Sequence, residues 1–189
     1  MVAARTRLEI ATANLANAST DGFRKHVARG RLTASGVEVD PLVATAQGAL
    51  RRTGRDFDFA IAGDGWFRVR DGSSIRPTRD GAFVRDRDGR LRDDAGRALQ
   101  GRHGDLIVPA GASVDERGAV VVAGRVVDSI ALPSASALRT GFLETANTDA
   151  VTEMVDVMAA QRSFESAEKV VATIDAASRK AAGDVAALK

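Results

Sequence analysis

The spacing of hydrophobic positions changes twice along the chain, and each change marks a different kind of element. Near the N-terminus, apolar residues recur three or four positions apart, at Leu8, Ala11, Leu15 and Ala18. This spacing predicts one face of a helix, and the turn-forming residues at 19–22 end it. We therefore expect an N-terminal helix within residues 1–18. Residues 19–55 show no sustained periodicity, which favours an extended connecting segment.

From residue 56 onwards the pattern is typical of β-structure. Phe57, Phe59 and Ile61 alternate with smaller or polar residues, as in a half-buried strand. Asp-Gly pairs follow at short intervals, at 64–65, 71–72, 80–81 and 88–89, and such pairs are typical of hairpin turns. We expect residues 56–143 to form an antiparallel β domain, meander-like or barrel-like.

The C-terminal segment, 144–189, returns to helical spacing. Asp149 is suited to cap the start of a helix, and neither Gly nor Pro interrupts residues 149–182. Apolar residues again recur every three or four positions, as in a coiled-coil seam. A helix of about 40 residues would be roughly 60 Å long. This exceeds the expected dimensions of the β domain, so part of the helix should project beyond it and need a partner. The predicted fold is α+β, with the β domain inserted between N- and C-terminal helices that form a discontinuous coiled-coil module.

Composition narrows the possible functions. The 189 residues include no cysteine, and the 27 basic and 25 acidic residues leave a net charge of +2. Disulfides, thiol nucleophiles and Cys-ligated metals are therefore excluded. The chain has no apolar run long enough for a membrane span, and its start does not resemble a Sec signal peptide. Nucleic-acid binding is not expected, because basic residues alternate with acids and tyrosine is absent.

The sequence offers few candidate catalytic residues. Asp56 and Asp58 are two positions apart and could form a carboxylate pair, but the polar face of a strand explains them better, because the alternation of residues alone accounts for the pattern. Trp66 and Phe67 suit a core or an interface better than a ligand platform. We expect no catalytic, cofactor or metal site. Two alternatives remain: a β-rich ligand-binding module with an aromatic cleft, and a hydrolase that uses the two aspartates.

Several ordered motifs resemble those of one bacterial family, the flagellar hook and basal-body rod proteins. They are ANLANASTDGFR at 13–24, QGALRRTG at 47–54, GDGWF at 63–67, GFLE at 141–144 and AQRSFE at 160–165. Within this family the chain looks most like the proximal rod branch and next like the distal rod branch, with a hook-type subunit as a further alternative.

The resemblance implies a structural axial subunit and not an enzyme. Such subunits polymerise through their terminal helices, which form an inner tube around the export channel, with the β domain outside. The implied partners are copies of the chain, other rod and hook proteins, and the flagellar type III export apparatus, with no nucleic acid and no membrane span. The implied location is the periplasm-spanning rod, reached without a Sec signal peptide.

The helical patterns and the resemblance together predict the residues that contact neighbouring subunits. The apolar members form the seams. The two asparagines either set the register of the helices by hydrogen bonding or belong to ordinary helix surface, and the glutamine either contacts a neighbour or faces solvent. These residues are Leu8, Asn14, Leu15, Asn17, Val151, Met154, Val155, Met158, Gln161, Phe164, Val171 and Ile174.

Overall fold

The computed structural model describes residues 2–33, 36–133 and 136–186, and the side chains of all of these except 36–37 and 181–186. The described residues form two helices and fifteen strands, in the order α1 (Val2–Ala16), β1 (His26–Thr33), β2 (Gly36–Val43), β3 (Leu50–Arg52), β4 (Phe59–Ala62), β5 (Phe67–Asp71), β6 (Ser74–Thr78), β7 (Val84–Arg85), β8 (Leu91–Arg92), β9 (Ala98–Gly101), β10 (Gly104–Asp105), β11 (Ser113–Val114), β12 (Ala119–Val122), β13 (Arg125–Ser129), β14 (Ala137–Thr140), β15 (Phe142–Glu144) and α2 (Ala150–Ala186). This is an α+β fold in which one helix precedes the strands in the sequence and one follows them.

The chain divides into two compact units, and each is built from separate stretches of sequence. The first unit consists of residues 1–18, 25–44 and 148–189, and the second of residues 19–24 and 45–147. The helices belong to the first unit. In the described chain, no helix is both long enough and apolar enough to cross a membrane.

The first unit contains α1, α2 and the hairpin β1–β2. Asp149 accepts a hydrogen bond from the backbone N–H of Thr152 at 2.9 Å, which is the N-cap geometry expected for this position. This bond lowers the pKa of the Asp149 carboxyl.

The hairpin β1–β2 corrects the expectation of an extended segment over residues 19–55. Its antiparallel register places Arg29 opposite Asp40 and Arg31 opposite Glu38, and the Arg31–Glu38 pair closes to 3.1 Å. Opposite charges facing each other across two strands stabilise a hairpin. Because these facing positions are charged, the two strands show no alternation of hydrophobic residues, and the sequence pattern does not predict them.

The second unit holds the hydrophobic core. Its largest sheet has the order β6-β5-β9-β8-β7, with β10 paired to β9; the smaller sheets are β11-β12-β13, β14-β4 and β15-β3. Each of these strand pairs is antiparallel. The rings of Phe59 and Phe67 both contact Phe83, the latter edge to face with centroids 5.7 Å apart. The strand β4 is buried on both faces, not half-buried as its alternation suggested.

A network of buried charges fixes one end of β15. Glu144 is 1% exposed, and its carboxylate pairs with Arg24 at 2.9 Å and with Arg79 at 3.0 Å. The backbone N–H of Gly48 donates to the same carboxylate at 3.1 Å. Burial, the largest influence, lowers the pKa of the Arg79 guanidinium although Glu144 opposes it. Three distant parts of the chain are therefore tied to one carboxylate within the second unit.

Candidate functional site

The face of α2 that lies inside the first unit is a narrow stripe. Its members are buried or half-buried and are spaced four or three residues apart, at Glu153, Val157, Ala160, Phe164 and Ala167. The helix α1 packs against α2, with Ala11 and Asn14 buried and with Leu8 and Leu15 half-buried. Asn14, near the end of α1, meets Glu153, near the start of α2. The two helices therefore run in opposite directions.

Asn14 and Glu153 form a polar cluster inside this helix pair. The Asn14 side chain donates to the backbone oxygen of His26 at 2.8 Å and accepts from the backbone N–H of His26 at 2.8 Å. It also donates to Glu153 at 3.2 Å. Glu153 is 1% exposed and accepts from Lys25 at 2.6 Å and from Thr148 at 2.6 Å. One carboxylate thus joins α1, the residue preceding β1 and the residues preceding α2.

The electrostatic balance keeps Glu153 ionised. Burial raises the pKa of its carboxyl, but the hydrogen bonds from Lys25, Thr148 and Asn14 outweigh burial, so the pKa falls below its ordinary value. A buried carboxylate that accepts several hydrogen bonds stays charged at neutral pH. The cluster therefore fixes the register of α1 against α2 within one chain. The sequence predicts a contact of Asn14 with a neighbouring subunit, whereas these hydrogen bonds of Asn14 are made within its own chain.

The opposite face of α2 carries four apolar side chains that the described chain leaves uncovered. Val151, Met154, Val155 and Met158 are each more than half exposed. Their spacing of i, i+3, i+4 and i+7 places them on one side of the helix. We call these four residues the outer stripe. A contiguous exposed apolar surface of this kind is typical of a protein–protein contact.

The second uncovered surface lies where α2 extends beyond the reach of α1. The helix α1 has 15 residues and α2 has 37, which gives lengths of about 22 Å and about 55 Å. Val171 and Ile174 continue the spacing of Phe164 and Ala167 along the inner face, yet they are 40% and 58% exposed. We call Val171 and Ile174 the overhang. Within the described residues, α1 is too short to cover them.

Two other predicted contact residues form hydrogen bonds to residues four positions away in the sequence. The Asn17 amide donates to the backbone oxygen of Ala13 at 2.9 Å, and the Gln161 amide donates to Glu165 at 3.0 Å. The sequence analysis missed Glu153, because a carboxylate in the first turn of a helix is usually an exposed partner of the helix dipole. The one indication in the sequence is that Glu153 falls on the same helical spacing as Ala160 and Phe164.

The carboxylate pair considered for hydrolysis does not form in the structure. Asp58 is 0% exposed and is bonded to Arg55 at 2.8 Å, whereas Asp56 is exposed. The two carboxylates lie in different environments.

Taken together, the fold and the site define a class of protein: an α+β chain whose N- and C-terminal helices pack against each other, with uncovered apolar side chains along the C-terminal one. Three family models match the chain. Residues 1–24 match the model described as flagella basal body rod protein, residues 60–133 the flagellar hook protein FlgE/F/G D1 domain, and residues 139–183 the flagellar basal body rod FlgEFG protein C-terminal.

Curated relatives agree with these matches. The flagellar basal-body rod protein FlgF of Rhizobium meliloti is 29% identical, over 87% of this chain and 85% of the relative. The rod protein FlgG of Bacillus subtilis is 27% identical over 90% of each, and the FlgF of Caulobacter vibrioides is 37% identical over 49% of this chain and 43% of the relative. The chain belongs to the family of flagellar basal-body rod proteins.

Proposed function

We propose that this chain is a structural subunit of the flagellar basal-body rod and that it polymerises through α1 and α2. The observation that carries the proposal is the pair of uncovered apolar surfaces on α2, the outer stripe and the overhang. Relatives over most of the chain's length are named as rod proteins. In this proposal the polymer is the shaft that transmits rotation and encloses the export channel.

Burial of the outer stripe supplies a driving force of useful size. Fully burying a Val or Met side chain stabilises by about 1.5–3 kcal/mol. The four side chains are only a little more than half exposed, so covering each of them with a neighbour contributes roughly half of that energy. The total is about 3–6 kcal/mol per subunit, enough to favour assembly once several such contacts close a ring or helix.

The overhang suggests how the helices of different subunits combine. Its side chains continue the spacing of the face that α1 covers, so a helix from a neighbour can extend the same packing. In this proposal α1 and α2 form a discontinuous coiled-coil module whose seam passes from one subunit to the next. Its partners are copies of this chain and other rod and hook proteins.

The same proposal assigns the chain a location and a route. It lies in the periplasm-spanning rod of the basal body, in the proximal part, and it reaches the growing end through the flagellar type III export apparatus. The proximal branch that the sequence resembles is the FlgF type and the distal branch the FlgG type. The FlgF relatives therefore support the proximal position, and the FlgG relatives make a distal position the nearest alternative.

A charged outer stripe tests the proposal. Met154→Lys combined with Met158→Lys places two ammonium groups where the proposal buries apolar surface. The matched control is Ser166→Lys with Thr173→Lys, which adds the same charge at two exposed polar positions of the same helix. In a strain that lacks the native chain, we expect the control to restore motility and the stripe variant to fold but to be missing from purified basal bodies. A motile strain with the stripe variant in its rods would refute the proposal.

A deletion gives a second, coarser test. Removing residues 160–189 takes away most of α2 but no residue of the second unit. We expect the fluorescence of the single tryptophan, Trp66, to report a folded second unit, while incorporation into the rod is lost. Normal motility with this deletion would contradict the role given to α2.

A further inference from the structure

Trp66, the single tryptophan of the chain, lies at the surface of the second unit. Its side chain is 40% exposed. The guanidinium carbons of Arg24 and Arg79 lie 5.7 Å and 5.6 Å from the centre of its ring, within the range of a cation–π contact. Both arginines are nearly buried and are held by Glu144. The indole is therefore fixed from within the protein while part of it stays open to solvent.

The indole forms part of an open groove of about 580 Å³. Trp66 precedes Arg68 by two positions, which places both on the same side of the chain as it enters β5. Pro77 of β6 lies directly opposite Arg68 in the register, and Pro133 closes another side. A Cβ at Gly65 would come within 3.1–3.2 Å of the Pro133 ring, so the glycine allows that ring to lie against the chain.

Two cations line the groove without a counter-ion. Arg68 and Arg102 are exposed, and in the described part of the chain neither forms an ion pair. Other arginines of the same unit are paired, including Arg70 with Asp105 and Arg97 with Asp93. Among the described residues that line the groove there is no acid. The groove thus combines a partly exposed indole with two guanidinium groups, each able to bind a carboxylate through two hydrogen bonds.

We propose that this groove binds a glycan that carries carboxylate groups. The apolar face of a sugar ring stacks on the indole, and the carboxylates of the same or the adjoining sugar pair with Arg68 and Arg102. An extended acidic peptide fits less well, because β6 is the edge strand of its sheet and Pro77 has no N–H to pair with an added strand. A nucleic acid fits less well because successive bases need several stacking platforms, and the groove has one.

Tryptophan fluorescence of the full-length chain tests the proposal, because Trp66 is the only tryptophan and therefore the only source of this signal. The probe is trigalacturonic acid, and the control ligand is its methyl ester, which has the same rings without the charges. We expect a saturable change in emission with the acid and none with the ester. Arg68→Gln and Arg102→Gln should each weaken binding about tenfold, the cost of losing a charge-assisted pair. Arg85→Gln is the matched control, because β7 lies at the other edge of the sheet.

Each outcome decides the question. Binding of the acid that depends on Arg68 and Arg102 but not on Arg85 supports a site for acidic glycans. Equal binding of the ester, or tighter binding of a hexa-aspartate peptide or of a thymidine hexanucleotide, overturns the choice of ligand. No change in emission up to low millimolar trigalacturonic acid overturns the site itself. None of these results bears on motility, so the rod assignment is tested separately.

Discussion

The buried carboxylate of Glu153 allows the packing of α1 against α2 to be tested quantitatively. In Glu153→Gln the side chain keeps its size but loses the charge that binds Lys25 at 2.6 Å. A hydrogen bond to a charged group contributes about 1.5–3 kcal/mol. The Lys25 side chain is 29% exposed and can regain water, so we expect a loss of about 1.5–2.5 kcal/mol. At a slope of about 2 kcal/mol per molar urea, the midpoint falls by about 1 M.

The two units offer two independent signals for this measurement. Far-UV circular dichroism follows α1 and α2, the two helices of the first unit, and Trp66 fluorescence follows the second. We expect Glu153→Gln to move the dichroism transition and to leave the fluorescence transition in place. Glu165→Gln makes the same chemical change at an exposed position of the same helix and should move neither. If the two variants unfold at the same urea concentration, the role assigned to Glu153 is wrong.

The pH dependence of the same variant gives a further check. The pKa of Glu153 lies below its ordinary value of 4.5 in the folded chain. Its carboxylate therefore stabilises the first unit above the unfolded pKa, and that contribution disappears as the pH falls through the folded pKa. The difference between Glu153→Gln and the native chain should be largest near neutrality and should vanish in acid. A difference that is constant with pH would contradict an ionised Glu153.

Two further predictions concern the second unit. Gly81→Ala should lower its free energy of unfolding by more than about 3 kcal/mol, because the new Cβ would lie 1.7 Å from the backbone oxygen of Phe59. The control is Gly63→Ala, which has open space around it but a φ of +93° and should cost about 1 kcal/mol. Equal losses of the two variants in denaturant unfolding would refute the close approach of Gly81 to Phe59 as the cause. The hydrogen bond from Arg70 lowers the pKa of Asp105 from 3.8 to about 2, so this pair should stabilise the unit above its unfolded pKa and lose that effect as the pH falls through about 2. Asp105→Asn should then lower the free energy of unfolding by about 1 kcal/mol at neutral pH, after allowance for the exposed Arg70, and should have no effect in strong acid. An equal loss of stability in acid would contradict the role given to the Arg70–Asp105 pair.

The helices and the β region could be predicted from local patterns because their physical causes are local. The N-cap at Asp149 requires only a side chain and the next turn. Gly72 and Gly89 adopt positive φ in the tight turns after β5 and β7, as Asp-Gly pairs predict. Gly81 has a different role, because it admits the backbone of Phe59 and does not require positive φ. An identical dipeptide thus serves a turn in one place and a close approach in another, and only the folded chain separates them.

The inner face of the helix pair was predicted less well. Seam patterns identified Val151, Val155 and Met158, which are exposed, while the inner face includes the buried Glu153 and the half-buried Ala160. A buried carboxylate needs donors from elsewhere in the sequence, here Lys25 and Asn14, and no local rule identifies them. The most hydrophobic stripe of an assembling subunit can be the surface kept for its neighbours, so hydrophobicity alone does not distinguish the inner face from the outer one.

The most direct test of the assembly proposal is site-specific photo-crosslinking from position 158. A photoreactive residue replaces Met158 at the centre of the outer stripe, in a strain whose motility the variant restores. Crosslinking is carried out on purified basal bodies and, as the comparison, on the same chain free in solution at low concentration. We expect covalent adducts with another axial subunit in the basal bodies and none in the free chain. A position 158 that forms no adduct in assembled rods would show that the outer stripe is not a subunit contact.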